Sequence, residues 1–278
     1  MKFKRKVKEF DKLPKTRKQQ FKDILKNDFA LIVDISLLQG LFSIPLIVIF
    51  SVLIFMLTNL NDYSLETIYP LVFYFSLASI IFFGLRNMAR NATSGLLIKR
   101  IYNEGCFIIP TFWNKIKENG LKSFFVGLFE GICFFMFSSF TTYLIYLPIK
   151  EIPKGLAIGM LALLFFFTTL AKEYFNSFSN IYELKFKDLL KNSYLFTLLC
   201  FPFSLLYFLC SIIIPVGLIM LSQYLVLIVV MILVLFYDGF WQLIISLYSI
   251  KKFDKYINKD NYPDYVDKGL QKDNKEEC

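Results

Sequence analysis

Six stretches of the chain carry almost no charge: 29–57, 69–85, 123–147, 155–171, 194–220 and 224–249. A helix needs about 20 apolar residues to cross roughly 30 Å of hydrocarbon. Within a bilayer the backbone must satisfy its own hydrogen bonds, so only helices and closed barrels span it. These runs are continuously apolar and do not alternate, which favours helices over a barrel. The second and fourth lie near the lower limit of about 17 residues for an upright span. The first and fifth are long enough to require tilt or a kink, and Pro45, Pro202 and Pro215 stand where kinks would fall. With 56% of 278 residues hydrophobic, and 33 of them Phe, the chain holds more apolar surface than a soluble domain of this length can hide.

The charges fall between the runs, and they fall unevenly. Of 31 Lys and Arg, 29 lie in four segments: 1–28, 86–122, 172–193 and the stretch from 251 onward. The alternate loops hold only Lys150 and Lys154. Six crossings put all four basic segments on one side, and the positive-inside rule makes that side cytoplasmic, with both termini there. The expected division is a basic cytoplasmic arm over 1–28, a six-span membrane domain over 29–250 and a cytoplasmic tail over 251–278. Such a face attracts anionic lipid, at roughly 1 kcal/mol per well-placed Lys or Arg. Net charge is +9, yet no basic groove interleaved with aromatics appears, so nucleic acid is not an expected partner. The first 28 residues lack the apolar core of a cleavable signal peptide. Five cysteines without a C-x-x-C pair, on a reducing side, do not predict a disulfide framework.

A short phrase recurs ahead of the apolar runs. "FKDILKN" spans 21–27, "FKDLLKN" spans 186–192, and a looser "WNKIKEN" spans 113–119. Each has apolar residues at helical spacing and charged residues on the other face, the pattern of a helix lying at a membrane surface. Separations of 92 and 73 residues between copies are unequal, which favours unit-like organisation over tandem duplication. The expected fold is therefore an all-α polytopic membrane helix bundle. It has about six transmembrane helices in three hairpins, each preceded by a short cytoplasmic amphipathic helix.

"GLLIKRIYNEGCFIIPTFWNKIKENGLKS", Gly95 to Ser123, resembles a segment of the YesL-like family of uncharacterised bacterial membrane proteins. Gly95 leads into a basic helix, Glu104 matches an acidic turn, and Phe112, Lys117, Asn119 and Ser123 match a phrase of the form F-x-x-x-F-K-x-N-x-x-x-S. "LFSIP", Leu41 to Pro45, is similar to the family's first-span signature, although Ser36 stands where the family often has Asn. "KFDKYINKDNYPDYVDKGL", Lys252 to Leu270, is similar to the tail of longer members. The resemblance implies a multi-pass protein of a bacterial cell membrane with no established activity. It also implies a supporting role in carbohydrate uptake, with sugar importer subunits as partners.

The chain has no histidine, which removes Ser-His-Asp and Cys-His nucleophiles and most zinc sites. No phosphate-binding glycine loop occurs, and neither does the cytoplasmic "EAA…G" loop of sugar permeases. No enzyme activity, cofactor or metal is expected. Three acids fall inside the apolar runs, Asp34, Glu130 and Asp238, with no Lys or Arg in any run to neutralise them. Each must be protonated, paired or facing water. One arrangement is a polar cavity open to the cytoplasm, floored by Asp238 and lined by Gln242, Gln39, Tyr237 and Trp241. The plainer one has Asp34 reaching to the interface and Glu130 hydrogen-bonded inside the bundle, between Gly127 and Gly131. The first functional reading is a non-enzymatic accessory or scaffold associated with carbohydrate uptake. The alternative is a small secondary transporter or channel that uses the intramembrane carboxylates. Oligomeric state and ligand are not fixed by the sequence.

Overall fold

The structure, a computed structural model, describes residues 13–221 and 233–271. Among them every regular element is a helix: α1 Arg17–Asn27, α2 Phe29–Thr58, α3 Leu65–Ile101, α4 Ile108–Tyr146, α5 Glu151–Ile181, α6 Phe186–Leu199, α7 Phe201–Leu221 and α8 Asp238–Phe253. Local chemistry sets several ends. The Thr16 side chain accepts from the Gln19 backbone N–H and caps α1. α3 stops at Asn103, which adopts φ 57° while the Glu104 N–H reaches the Lys99 carbonyl at 2.8 Å. That is the left-handed closure asparagine tolerates, and Lys99 and Arg100 in the last turn suit the negative end of the helix.

Four helices, α2 to α5, are long and apolar enough to cross a membrane. A fifth is counted if α6 and the start of α7 form one span bent by 89°. Outward-facing side chains such as Leu41, Ile47 and Phe55 on α2, and Ile152, Leu156 and Met160 on α5, are exposed. In water they would form an apolar patch no soluble monomer carries. This is the build of a membrane-embedded protein.

α3 and α4 pack antiparallel along most of their length. Ser76 meets Ser139 at 3.2 Å, and Tyr146 donates to the Tyr63 carbonyl at the far end. Glycines allow the approach: a Cβ on Gly131 would sit 2.8 Å from the Ile80 Cα, and one on Gly127 would sit 2.5 Å from the Phe83 carbonyl oxygen. The phenylalanine clusters are packing, as in Phe134 against Phe83 and Phe166 against Phe208. Ser138 and Thr142 bond back to the carbonyls four residues earlier.

At 37 and 39 residues, α3 and α4 are about 55 and 58 Å long at 1.5 Å per residue, nearly twice the hydrocarbon thickness. Their surplus, with the last turns of α5 and α8, builds a second core at the basic end around Leu97, Ile101, Phe112, Phe178 and Phe253. An asparagine ladder supports it. Asn176 donates to Asn87, Asn91 to Asn176 and Ser179, and Asn119 to the Ser179 carbonyl, all within 3.1 Å. Both ends of the described chain are fastened there. Arg17 pairs with Asp254 at 3.1 Å, Gln20 donates to the Ile101 carbonyl at 2.6 Å, and the Gln271 N–H reaches the Pro14 carbonyl at 3.0 Å. Gly269, at φ 85°, lies against the Ile101 carbonyl with no room for a side chain. Burial raises the Asp254 carboxyl above its ordinary value, outweighing the opposing pull of Asn258 and Arg17.

Several expectations change. The run at 194–220 is not one straight helix but breaks at Cys200, one residue before Phe201, whose successor Pro202 lacks an N–H donor. The phrase at 113–119 is not a separate surface helix, since it lies inside the unbroken α4. The other two copies do form α1 and open α6. The expected sixth run, 224–249, falls partly outside the described residues; its remainder includes a single π-helical turn, Leu233–Tyr237, leading into α8.

Candidate functional site

The segments 86–122 and 172–193, each expected on the cytoplasmic side with one short surface helix, are largely helix. α3 continues past its apolar run and carries Arg86 and Arg90 one turn apart, on the same face. α5 does the same with Lys172 and Glu173. α4 brings Glu130 to them, and α8 opens with Asp238. The cations absent from the apolar runs stand just beyond them in the same helices, and two of the three acids expected there, Glu130 and Asp238, are members of a network.

The network alternates in sign. Lys172 Nζ lies 2.7 and 2.8 Å from the two Glu130 oxygens and 3.8 Å from Glu173. Arg90 Nε donates to Glu173 at 2.9 Å, and Arg90 Nη1 lies 3.4 Å from Asp238. Arg86 completes the chain 3.6 Å from Asp238. Three cations thus face three carboxylates. Taking such ions out of water costs several kcal/mol each, which close geometry and further hydrogen bonds must offset. The inner end meets that condition: the Glu130 and Lys172 side chains are only 4% and 8% exposed. The outer end is looser, with Asp238 at 22% and Arg86 at 36%, and among the described residues the Arg86 side chain makes no hydrogen bond.

Polar side chains brace Arg90 from behind. Gln39 donates to Thr93 at 2.7 Å and to Gln242, whose amide donates to the Arg90 carbonyl at 2.6 Å. Gln39 also accepts from Arg90 at 3.4 Å, and the Tyr207 hydroxyl accepts from it at 3.3 Å. α8 is locked to α2 where the Gly239 N–H donates to Ser36 Oγ at 2.9 Å, a position whose missing Cβ admits the Ile32 carbonyl.

In front lies a cavity of about 270 Å³, bounded by Arg86, Arg90, Glu173 and Asp238 with Tyr237 and Trp241. Asp238, Tyr237 and Trp241 line this cavity. Gln39 and Gln242 do not line it; they are buried behind Arg90. Asp34 is half-buried and forms no ion pair among the described residues. The positions carrying the family resemblance are mostly packing residues of the basic end. Phe112 is buried against Phe42, Asn119 bonds across to α5, and a side chain on Gly95 would meet Asn180 at 2.6 Å. Lys117 is exposed, and Pro45 sits within the continuous α2. Among the described residues no group of three or more His, Cys, Asp or Glu could hold a metal ion.

Arg86, Arg90, Lys172 and Glu173 were missed as site residues, but a signal for them existed. The runs 69–85 and 155–171 look short because these charges end them, and the helices continue through the charges as buried pairs. No family model, curated protein or solved structure matches the chain.

Proposed function

We propose that the protein binds a charged or zwitterionic solute in the Asp238 cavity and acts as a small secondary transporter or channel rather than as an enzyme. The observation that carries this reading is the graded network, tight at Glu130–Lys172 and loose at Arg86–Asp238, which opens onto the cavity. A ligand can engage the loose pair without breaking the buried ones, and two-state rearrangements of ion pairs are a common basis of switching. The basic end supports a cytoplasmic orientation for both termini in a bacterial cell membrane. The test is uptake of a panel of charged and zwitterionic solutes into proteoliposomes, with and without a pH gradient. Asp238→Asn is expected to abolish any saturable uptake while expression is retained; equal uptake by wild type and variant across pH 5–8 overturns the reading.

A second reading, an accessory to carbohydrate uptake, is favoured by a different feature. Phe107, Ile109, Trp113 and Leu121 are each at least half exposed on or beside the basic half of α4, a docking face for another membrane protein. Co-purification of sugar importer subunits from native membranes, lost when Trp113 and Leu121 are replaced by Ser, supports it; copies that purify alone count against it.

A further inference from the structure

The polar cavity does not stand alone. An apolar groove of about 540 Å³ runs between α2 and α3, along Leu41, Ile44, Ile47 and Phe50, and shares Phe83, Arg86, Tyr237 and Asp238 with the cavity. Its volume falls in the range of ordinary ligand sites, about 300–1,000 Å³. A ligand bridging the two spaces must be polar at one end and apolar at the other.

The charges narrow the polar end. Arg90 is committed to Glu173, and Lys172 to both oxygens of Glu130. Among the described residues the longest contact of the network's outer end is Arg86–Asp238 at 3.6 Å; Asp238 also accepts from Arg90 Nη1 at 3.4 Å, whereas the Arg86 side chain forms no hydrogen bond. A guanidinium has five N–H donors in a planar fork that matches phosphate oxygens, and at the edge of hydrocarbon it needs acceptors. A ligand that is only anionic would bring its charge against Asp238, and one that is only cationic would bring its charge against Arg86. A head group with both signs satisfies the pair, and complementarity of this kind selects against the alternatives.

We infer that this end of the cavity holds the head group of a zwitterionic phospholipid. The phosphate lies against Arg86, the ammonium against Asp238, and an acyl chain occupies the α2–α3 groove. The inference rests on the reading of the cavity as a ligand site and names a membrane lipid as a ligand of it.

The experiment uses the full chain in detergent with Trp113→Phe, so that Trp241, in the cavity wall, is the sole tryptophan. Phosphatidylethanolamine is titrated against three controls: phosphatidylglycerol (phosphate without ammonium), diacylglycerol (chains alone) and O-phosphoethanolamine (head alone). A saturable change in Trp241 fluorescence is expected with phosphatidylethanolamine only. Arg86→Gln and Asp238→Asn should each raise its half-saturating concentration at least tenfold, about 1.4 kcal/mol. Arg86→Lys, which keeps the charge but loses the fork, and Ile47→Phe, which crowds the groove from an exposed position, should weaken binding too. They keep the test informative if Arg86→Gln does not fold. Equal responses to the two phospholipids, or a response to O-phosphoethanolamine alone, overturn the inference. If Asp238→Asn still abolishes solute uptake, that result removes the lipid site and leaves the transport reading standing. Lipid selectivity with uptake indifferent to Asp238 does the reverse.

Discussion

Lys172→Met is the most informative single substitution in the network. Among the described residues it removes the one cation paired with Glu130, whose side chain is 4% exposed, and leaves a buried carboxylate without its partner. Breaking a buried pair in this way costs about 3–5 kcal/mol, whereas replacing both partners with apolar groups of similar volume is often near neutral or stabilising. The reverse single change, Glu130→Gln, should cost less, because Lys172 already lies 3.8 Å from Glu173 and can lean toward it. The expected order of destabilisation is Lys172→Met, then Glu130→Gln, then the double variant Lys172→Met/Glu130→Leu, which should recover most of the loss. The assay is equilibrium unfolding of purified protein in mixed micelles, followed by circular dichroism, with the coupling taken from the double-mutant cycle of Lys172→Met, Glu130→Leu and their combination. The reasoning is refuted if the double variant is as unstable as the sum of its singles, or if Lys172→Met costs less than about 1 kcal/mol.

Gly127→Leu should drive α3 and α4 apart, since even a Cβ there meets the Phe83 carbonyl; the expected outcome is a loss of about 3 kcal/mol in the same unfolding assay, the upper end of the usual range for overpacking, against little effect for Gly155→Leu, where space is open. Asp254 binds its proton more tightly when folded than when unfolded, so its contribution to stability is fully present below the ordinary carboxylate value of 3.8 and is lost as pH rises through the raised one. Unfolding midpoints of wild type relative to Asp254→Asn should therefore fall as pH is raised from about 4 toward neutrality, and a difference that grows with pH contradicts the assignment. Gln20→Ala removes the donor to the Ile101 carbonyl and should loosen the basic end, read as faster amide exchange over 254–271 with the exchange of α4 and α5 unchanged.

Much of the architecture was legible because hydropathy reports burial in lipid directly. The first and third apolar runs map onto α2 and the far half of α4, and α1 follows from the spacing of Phe21, Ile24 and Leu25. The bend at Cys200 was not legible, since Pro202 permits a break without requiring one. Nor was the continuity of α3 and α5 through their charges. Local composition says that Arg90 and Lys172 are polar; only tertiary contact says that Glu173 and Glu130 neutralise them. The same limit separated Asp238, recognisable as a depth anomaly, from Gln39 and Gln242, whose burial behind Arg90 depends on three helices meeting.

The fastening of α1 to the chain's far end also has a consequence in time. Arg17 and Asp254 are 237 residues apart, so a ribosome adding about 5–20 residues per second leaves roughly 10 to 50 s between synthesis of the first partner and the second. Throughout that interval Phe21 and Ile24 have no finished docking surface, and a bilayer already holding α2 to α5 offers them a provisional one. Among the described helices α1 is made first, and it meets its full set of partners only once Asp254 has been added.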